Sequence, residues 1–246
     1  MNTKAEPKTR DAHCELHGAY KSLNMFRERW TACGKCLDEE RAAMERAAKE
    51  ALAAERLQDQ MNRSGLLGRF RAASFDTFNA QSAGQKKALA ACVAFAAGVK
   101  HDQWASLMLI GLPGTGKTHL GAAAVRQVIH NGGSARYLTA RDLVRTVRAT
   151  WRRDSPQGEQ EVVDDIALGS TLLVLDEVGV GLGTEAEAAQ LFDVLDKRYQ
   201  AGAPVLLISN LNIPDLRESL GPRLYDRMRE SSQVVVTNWP SHRGAA

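Results

Sequence analysis

Five short segments, spread from the middle of the chain to its C-terminal end, are rich in apolar residues and predict buried β-strands. These segments are Leu107–Ile110, Ala135–Thr139, Thr171–Asp176, Pro204–Ser209 and Gln233–Thr237. Segments of helical character lie between them, and a helix that connects two strands usually leaves them parallel. The pattern therefore predicts an α/β fold, in which a five-stranded parallel sheet carries helices on both faces.

The helical segments are recognised by apolar residues that return every three or four positions, or by composition. In the segment 141–153, Val144, Val147 and Trp151 recur in this way and are expected to face the core. In the last such segment Leu191 and Leu195 belong to the apolar face. The predicted helices are Gln85–Val99, Leu120–Ile129, 141–153 and Thr184–Gln200.

The N-terminal third has a different character. Leu37–Met61 is rich in Ala, Glu, Arg and Lys and contains neither Pro nor Gly, which predicts a helix that faces solvent. We interpret it as a linker helix, because its heptad pattern is broken at Gln58. The expected organisation is a small module over 1–37, a linker helix over 38–66 and the α/β domain over 67–246.

Composition and charge narrow the function classes. The chain has 246 residues, of which 44% are hydrophobic and 25% charged, and its net charge is +3. These values are typical of a globular protein with one core, and they indicate that any basic surface is local. The longest apolar run, Ala88–Val99, is too short to cross a bilayer, and the first residues do not resemble a signal peptide. A cytoplasmic location is expected.

Three of the four cysteines lie in the small module over 1–37. Cys14 and His17 form one Cys-x-x-His pair, and Cys33 and Cys36 form a Cys-x-x-Cys pair. Two such pairs supply a closed Cys₃His set that suits a structural, tetrahedral Zn²⁺. His13 is a possible substitute for His17, and free thiols in an unstructured tail are the plain alternative. The fourth cysteine, Cys92, is interpreted as a small buried apolar residue.

The strongest motif lies between the first strand and the next helix. Residues Gly111–Thr118 match G-x-x-x-x-G-K-[ST] at every fixed position. Glycines let the backbone turn tightly and present its N–H groups to an anion at the helix N-terminus. We expect Lys117 to reach the β- and γ-phosphates of ATP and Thr118 to place its hydroxyl on Mg²⁺. A glycine-rich turn with a surface lysine is the alternative.

Two carboxylates end the third predicted strand. Asp176 is expected beside the Mg²⁺ ion, and Glu177 is expected to orient and polarise an attacking water. This pair favours hydrolysis over transfer of the phosphoryl group to an acceptor. Asn210 follows the fourth strand, at the sheet edge where ligands bind, and can hydrogen-bond the γ-phosphate or the water. A turn-forming asparagine is the alternative.

Two further features each allow two interpretations. The first is a basic stripe on the segment 141–153, which can track the phosphates of single-stranded DNA or can be a solvated face paired with acidic neighbours. The second is the pair Phe75 and Phe78, which can flank an adenine ring or can pack on the core. The stripe consists of Arg141, Arg145, Arg148 and Arg152.

These motifs together resemble the DnaC/DnaI-type replicative helicase loaders of bacteria and their phages, which are AAA+ ATPases. The resemblance covers 62–243 and rests on Gly111–Leu120, on the Val-Leu-Asp-Glu-Val-Gly run at 174–179, and on Arg-Leu-Tyr-Asp-Arg-Met-Arg at 223–229. The cysteine-containing segment resembles the zinc module of many such loaders. As in these loaders, too few residues follow the fifth strand for a full helical lid domain.

The resemblance implies roles for individual residues. Asn210 corresponds to sensor 1 and Arg243 to sensor 2. Arg227 is the best match to the arginine finger that reaches the ATP of a neighbouring subunit, and Arg223 is the rival. The nucleotide contacts implied for the loop region are Gly111, Pro113, Gly114, Thr115, Gly116, Lys117, Thr118 and His119.

The expected function is that of an ATP-dependent loader with ATP, Mg²⁺ and Zn²⁺ as cofactors. It would bind the hexameric, DnaB-type replicative DNA helicase, self-associate through its ATPase domain, and deliver the helicase onto single-stranded DNA. One alternative is a transposition helper ATPase of the IstB type, which shares the ATPase core. Another is a nucleotide-gated DNA-binding adaptor with little turnover.

Overall fold

The computed structural model describes residues 8–26, 29–179, 185–230 and 232–242. It divides into two compact units, residues 1–56 and 57–246. None of the helices in the described ranges combines the length and the apolar character that a bilayer span requires.

The first unit is a small antiparallel sheet followed by helix. Strand β1 (Thr9–Cys14) pairs with β2 (Gly18–Phe26), which pairs with β3 (Arg29–Trp30). Helix α1 (Gly34–Arg63) begins in this unit, and no residue along it is fully buried. The polar composition predicted a helix that faces solvent, and the structure has such a helix there. It begins three residues before the predicted Leu37.

The second unit contains the remaining strands and helices. A short 3₁₀ helix spans Gly68–Ala72. The strands are β4 (Ser106–Gly111), β5 (Ala135–Thr139), β6 (Leu172–Asp176), β7 (Val205–Ser209) and β8 (Ser232–Thr237). The helices are α2 (Ala83–Gly98), α3 (Lys117–His130), α4 (Ala140–Ala149), α5 (Glu159–Leu168), α6 (Glu185–Gln200), α7 (Ile213–Leu220) and α8 (Pro222–Arg229).

The five strands form one parallel sheet with the spatial order β5-β6-β7-β4-β8. Alternate residues of each strand enter two separate hydrophobic cores, because successive side chains point to opposite faces of a sheet. Leu107 and Leu109 of β4 pack with α2 and α3, whereas Met108 and Ile110 pack with helices α4 to α8. The predicted fold class, a parallel sheet covered on both faces, is confirmed. Cys92 is completely buried in the first core.

Three helices were not among those predicted. Helix α5 lies between α4 and β6, and α7 and α8 lie between β7 and β8. Local signals for two of them exist: Asn212 caps α7 through the backbone N–H of Asp215, and Pro222 occupies the first turn of α8. Only residues 238–242 follow β8 in the described part of the chain, so a helical lid is absent from the described residues.

Candidate functional site

The phosphate loop lies between β4 and α3, at the carboxyl end of β4. Gly116 immediately precedes α3 and has a φ of +91°, a left-handed conformation that favours glycine. A Cβ atom at this position would lie 2.7 Å from Cε2 of Phe78, so the site has no room for a side chain. The loop backbone and the first turn of α3 therefore meet at one point, as an anion cradle requires.

A cleft of about 410 Å³ opens over this loop, within the size range of small-molecule sites. Most residues predicted to form the nucleotide site line it, although they come from three separate connections after β4, β6 and β7. Arg69 and Phe70, in the 3₁₀ helix, also line the cleft and were missed by the sequence interpretation. The predicted residues in its wall are Pro113, Gly114, Gly116, Lys117, Thr118, His119, Asp176, Glu177 and Asn210.

Lys117 is almost completely buried at the floor of the cleft. Its Nζ donates hydrogen bonds to the carbonyl oxygens of Gly111 at 2.8 Å and of Leu112 at 2.7 Å. A buried ammonium group needs such acceptors, because burial without them is costly. The loop therefore holds the lysine inside the cleft, which argues against a surface lysine on a simple glycine-rich turn.

Two oxygen-bearing side chains that can bind a magnesium ion meet where α3 begins and β6 ends. Thr118 Oγ1 donates a hydrogen bond of 2.8 Å to Oδ2 of Asp176, a carboxylate that is 5% exposed. Hydroxyl and carboxylate oxygens are the ligands that Mg²⁺ prefers. The residues present therefore fit the ion: Thr118 and Asp176 would hold it beside the phosphates.

Tyr137 on β5 also contacts this carboxylate, and the sequence interpretation missed it. Its hydroxyl donates a short hydrogen bond to the same Oδ2 of Asp176. Burial raises the pKa of Tyr137, and the negative charge of Asp176 raises it further. The phenol therefore remains a protonated donor at neutral pH, and it helps to fix the position of the carboxylate.

Glu177 has an unusual backbone conformation. Its φ is +60°, which is uncommon for a residue other than glycine, and its N–H donates to Oδ1 of Asp176 at 2.7 Å. The side chain is exposed at the wall of the cleft. Strained backbone of this kind persists where surrounding structure imposes it, and it is frequent at functional sites.

The three arginines proposed to act on ATP have different surroundings. Arg227 forms an ion pair with Asp196 of α6, and its guanidinium carbon lies 5.2 Å from the centre of the Tyr199 ring. Arg223 is exposed and has no partner among the described residues. Neither of them lines the cleft. Arg243 lies outside the described residues.

The two phenylalanines expected near the base differ in position. Phe78 is 9% exposed and packs in the first core, with its ring centre 5.7 Å from that of His119. Phe75 packs against the same core and lines neither the loop nor the cleft. Phe70 does line the cleft, so it is the aromatic residue that the structure places there.

The basic stripe of α4 is partly neutralised. Arg145 lies 3.5 Å from a carboxylate oxygen of Asp142, and Arg148 lies 3.1 Å from one of Glu187. Arg141 and Arg152 are exposed, and their guanidinium groups have no partner within the described ranges.

The prediction that Trp151 faces the core is wrong. Helix α4 ends at Ala149, and the Trp151 side chain in the following turn is 57% exposed. Its Nε1 donates to Oε2 of Glu159 at 2.7 Å. The helical periodicity could not be extended to 151, because the backbone no longer follows a helix there.

The first unit brings Cys14, His17, Cys33 and Cys36 together. One ligand atom from each lies within 4.8 Å of the others, and His13 is not part of the group. Nε2 of His17 lies 2.9 Å from Oε1 of Glu39, a partner that would orient the imidazole as carboxylates do for metal-bound histidines. Three thiols and one imidazole in this arrangement fit a tetrahedral Zn²⁺.

The pKa values of Cys14 and Cys36 favour a cation at this cluster. Backbone N–H groups, that of His17 first, lower the pKa of Cys14 to about 6. The hydrogen bond with Cys14 raises the pKa of Cys36 to about 12. Their sulfurs lie 3.4 Å apart, so a second thiolate is unfavourable without a cation. A bound metal ion removes this penalty and deprotonates the coordinating thiols.

We expect the protein to carry one zinc ion per chain in this cluster. The Cys36→Ser variant should lose it, because a hydroxyl is a poor ligand for Zn²⁺ compared with a thiolate. Cys92→Ala is the matched control, since Cys92 lies in the first core of the other unit and should not affect metal content. Metal content is measured by elemental analysis after dialysis. Zinc retained equally by both variants would contradict the assignment.

The parallel sheet, the phosphate loop and the acidic pair at the end of β6 together define the fold of a phosphate-loop nucleotide-binding protein. The model of the IstB-like ATP binding protein family matches residues 34–245. The chain therefore belongs to the family of IstB-like ATP-binding proteins.

Curated relatives and solved structures agree with this assignment. The replicative helicase loader DnaC of Escherichia coli (strain K12) is 30% identical over 203 residues, which are 82% of this chain and 80% of that protein. The crystal structure of the DnaC helicase loader matches with a TM-score of 0.63 and 20% identity, over 70% of this chain and 99% of that one. The crystal structure of DnaI matches with a TM-score of 0.62 and 22% identity, over 75% and 99%. The two structural matches support the fold.

Proposed function

We propose that this protein is an ATP-dependent loader that binds a hexameric replicative DNA helicase and delivers it onto single-stranded DNA. The observation that carries the proposal is the 30% identity to the replicative helicase loader DnaC across four-fifths of that protein. The cleft supports it independently, because it contains the groups that ATP hydrolysis needs. The proposed setting is the cytoplasm.

We propose a role for six residues in or beside the nucleotide site. Lys117 would contact the β- and γ-phosphates of ATP. Thr118 and Asp176 would hold Mg²⁺, which would supply positive charge against the charge that develops on the phosphates. Glu177 accepts a hydrogen bond from the attacking water and orients it. Asn210 donates its amide to the γ-phosphate or to that water. Tyr137 keeps the Asp176 carboxylate in position through its hydrogen bond.

Hydrolysis would also depend on self-association, since an arginine from a neighbouring subunit stabilises the transition state. The family resemblance favours Arg227 for this role. The intramolecular contacts favour Arg223, because Arg227 would first have to leave Asp196. Arg223 is already exposed and can reach another subunit without breaking an ion pair.

The proposed organisation assigns helicase docking to the zinc module over 1–37, which the helix over 38–66 links to the ATPase domain over 67–246. The binding of single-stranded DNA is assigned to α4 and the turn that follows it. Arg141 and Arg152 are available to contact phosphates there, and exposed Trp151 offers a ring on which a base can stack. Basic and aromatic side chains that lie side by side are characteristic of single-strand binding.

The test is co-elution with the replicative helicase of the host on a sizing column, at low salt and with ATP. We expect a complex for the wild type. The matched control is Cys36→Ser, which should lose the complex but keep nucleotide binding if the zinc module does the docking. Intact nucleotide binding without any helicase complex would contradict the loader proposal.

The second candidate is a transposition helper of the IstB type, which the match of residues 34–245 to the IstB-like family supports. It would use the same cleft and hydrolyse ATP, so ATPase activity does not separate the two candidates. Binding to a transposase in place of the helicase would favour it. An adaptor with little turnover would bind ATP but release no phosphate, with or without single-stranded DNA.

Glu177→Gln should retain ATP binding and lose most turnover. The amide preserves the shape of the side chain but is a poor acceptor for the proton of the attacking water, and general base catalysis typically contributes about 10²–10⁴-fold. Phosphate release and bound nucleotide are measured on the same sample, and ATP should stay trapped. Glu185→Gln, an exposed change at the start of α6, is the control. Normal turnover in Glu177→Gln would disprove the proposed role.

A further inference from the structure

The end of the last strand and the residues that follow it make a set of contacts that the proposed mechanism does not use. We call residues 237–242 the C-terminal strap. The strap runs along the back of the phosphate loop, where the backbone N–H of Leu112 donates to the carbonyl oxygen of Thr237 at 3.1 Å. Thr115 Oγ1 donates to Thr237 Oγ1 at 2.9 Å, in a completely buried position.

Two hydrogen bonds from the strap reach carbonyl oxygens of the loop itself. The indole Nε1 of Trp239 donates to the carbonyl oxygen of Thr115 at 3.0 Å. The backbone N–H of His242 donates to the carbonyl oxygen of Gly114, also at 3.0 Å. Trp239 is 7% exposed and its ring packs against α2 beside Gly84, so the indole is held firmly.

These two carbonyl groups belong to consecutive peptide units of the loop. Each unit is planar, and its N–H points opposite to its C=O. The unit with the Gly114 carbonyl carries the N–H of Thr115, and the unit with the Thr115 carbonyl carries the N–H of Gly116. Holding both carbonyl groups from behind therefore turns the two N–H groups away from the strap, toward the side on which a phosphate is bound.

The loop is shaped for this close approach. Gly114 has a φ of +79°, and a Cβ atom there would lie 1.9 Å from Oγ of Ser241. A Cβ atom at Gly111 would lie 2.3 Å from the carbonyl oxygen of Thr237. Two of the three loop glycines thus accommodate the strap rather than the ligand, which the sequence motif alone does not indicate.

The far end of the strap is anchored as well. The side-chain amide of Gln85 donates to Nε2 of His242 at 3.0 Å, and Oε1 of Gln85 accepts from the backbone N–H groups of Gln81 and Ser82. Gln85 also completes the capping box at the start of α2. The strap is therefore fixed to a helix end, and its position does not depend on the loop alone.

From these contacts we infer that Trp239 is a positioning residue for ATP: through the strap it orients the phosphate-loop N–H groups before the nucleotide arrives. The inference rests on the proposed ATP-binding function. It makes affinity for the nucleotide depend on a hydrogen bond that never touches the ligand. Binding to an oriented site is tighter because less order has to be imposed on the loop when the ligand binds.

The test is a titration of fluorescent mant-ATP in the presence of Mg²⁺, well below the unfolding temperature. Trp239→Phe keeps most of the buried ring and removes the indole N–H. It should raise the Kd for ATP about tenfold, the equivalent of one hydrogen bond. Trp104→Phe is the matched control, because Trp104 Nε1 also donates to a backbone carbonyl oxygen, that of Glu230, outside the cleft.

A purely structural role would lower the Tm of both variants and leave both affinities unchanged. Equal Kd values for Trp239→Phe and the wild type would therefore overturn the inference. If Trp239→Phe does not fold, the pair His242→Pro and His242→Ala decides. His242→Pro removes the backbone N–H that donates to the Gly114 carbonyl and should weaken ATP binding, whereas His242→Ala keeps this N–H. Equal ATP affinities of these two variants would overturn the inference. Absence of binding by the wild type would instead overturn the nucleotide-binding function itself.

Discussion

Replacing Arg198 with methionine is expected to lower the free energy of unfolding by about 4 kcal/mol or more, because several buried carbonyl groups would lose their donors. Arg198 lies on α6 and is completely buried. Burial lowers its pKa to about 9, so the guanidinium remains protonated at neutral pH. Its neighbours are backbone carbonyl oxygens, and no carboxylate is among its hydrogen-bond partners in the described structure.

The donors of Arg198 connect three elements of the second unit. Nη1 donates to the carbonyl oxygen of Ala167, in the last turn of α5, and to that of Ser170 at 3.1 Å. Nη2 donates to the carbonyl oxygens of Thr171 and Pro204, each at 2.7 Å. These two residues directly precede β6 and β7. A cation at the C-terminal end of a helix is also stabilised by the helix dipole.

The size of the effect follows from the acceptors left behind. Each buried carbonyl group without a donor costs about 1–3 kcal/mol, and methionine offers none. The loss would exceed the usual range for single substitutions, which is about 0.5–3 kcal/mol. Chemical denaturation of the full chain measures it. Arg217→Met, at an exposed position on α7, is the control and should stay within about 0.5 kcal/mol of the wild type. Equal stability of the two variants would contradict this account of Arg198.

Lys117→Ala is expected to weaken ATP binding at least about 100-fold, while the fold is retained. Among the described residues, its ammonium group is the only lysine charge in the wall of the cleft, and the loop carbonyls already hold it there. Charge-assisted hydrogen bonds to phosphate are among the strongest that proteins form, so their loss outweighs any gain from removing a buried charge.

A fluorescence titration with mant-ATP measures this effect, and far-ultraviolet circular dichroism verifies the fold. Lys87→Ala on α2 is the control, because Lys87 is exposed and lies outside the cleft. The expected loss for Lys117→Ala is about ten times larger than that for Trp239→Phe, since one removes a ligand contact and the other removes only the orientation of the loop. Unchanged affinity in Lys117→Ala would refute the phosphate role.

Much of the sheet could be predicted, for a local reason. Strands such as Leu172–Asp176 are buried on both faces, so nearly every residue is apolar and the run is visible without knowledge of its partners. The phosphate loop and the cysteine pairs could also be recognised from the sequence. In each of them, the residues that define the motif are close together in the chain and have a fixed spacing. The helices α5, α7 and α8 were missed, since each is short and its apolar face contacts a core that several elements build together.

The amino-acid order alone was enough for the class of fold, the phosphate loop, the acidic pair and the cluster of three cysteines and one histidine, because periodicity and short spacings are properties of neighbouring residues. The strand order, the exposure of Trp151, the partner of Arg227, and the contacts that Tyr137 and Trp239 make with the site came only from the folded chain. Those contacts join residues that are far apart in sequence, such as Thr115 and Trp239. Which side chains meet in this way depends on how the layers pack, and no local pattern encodes it.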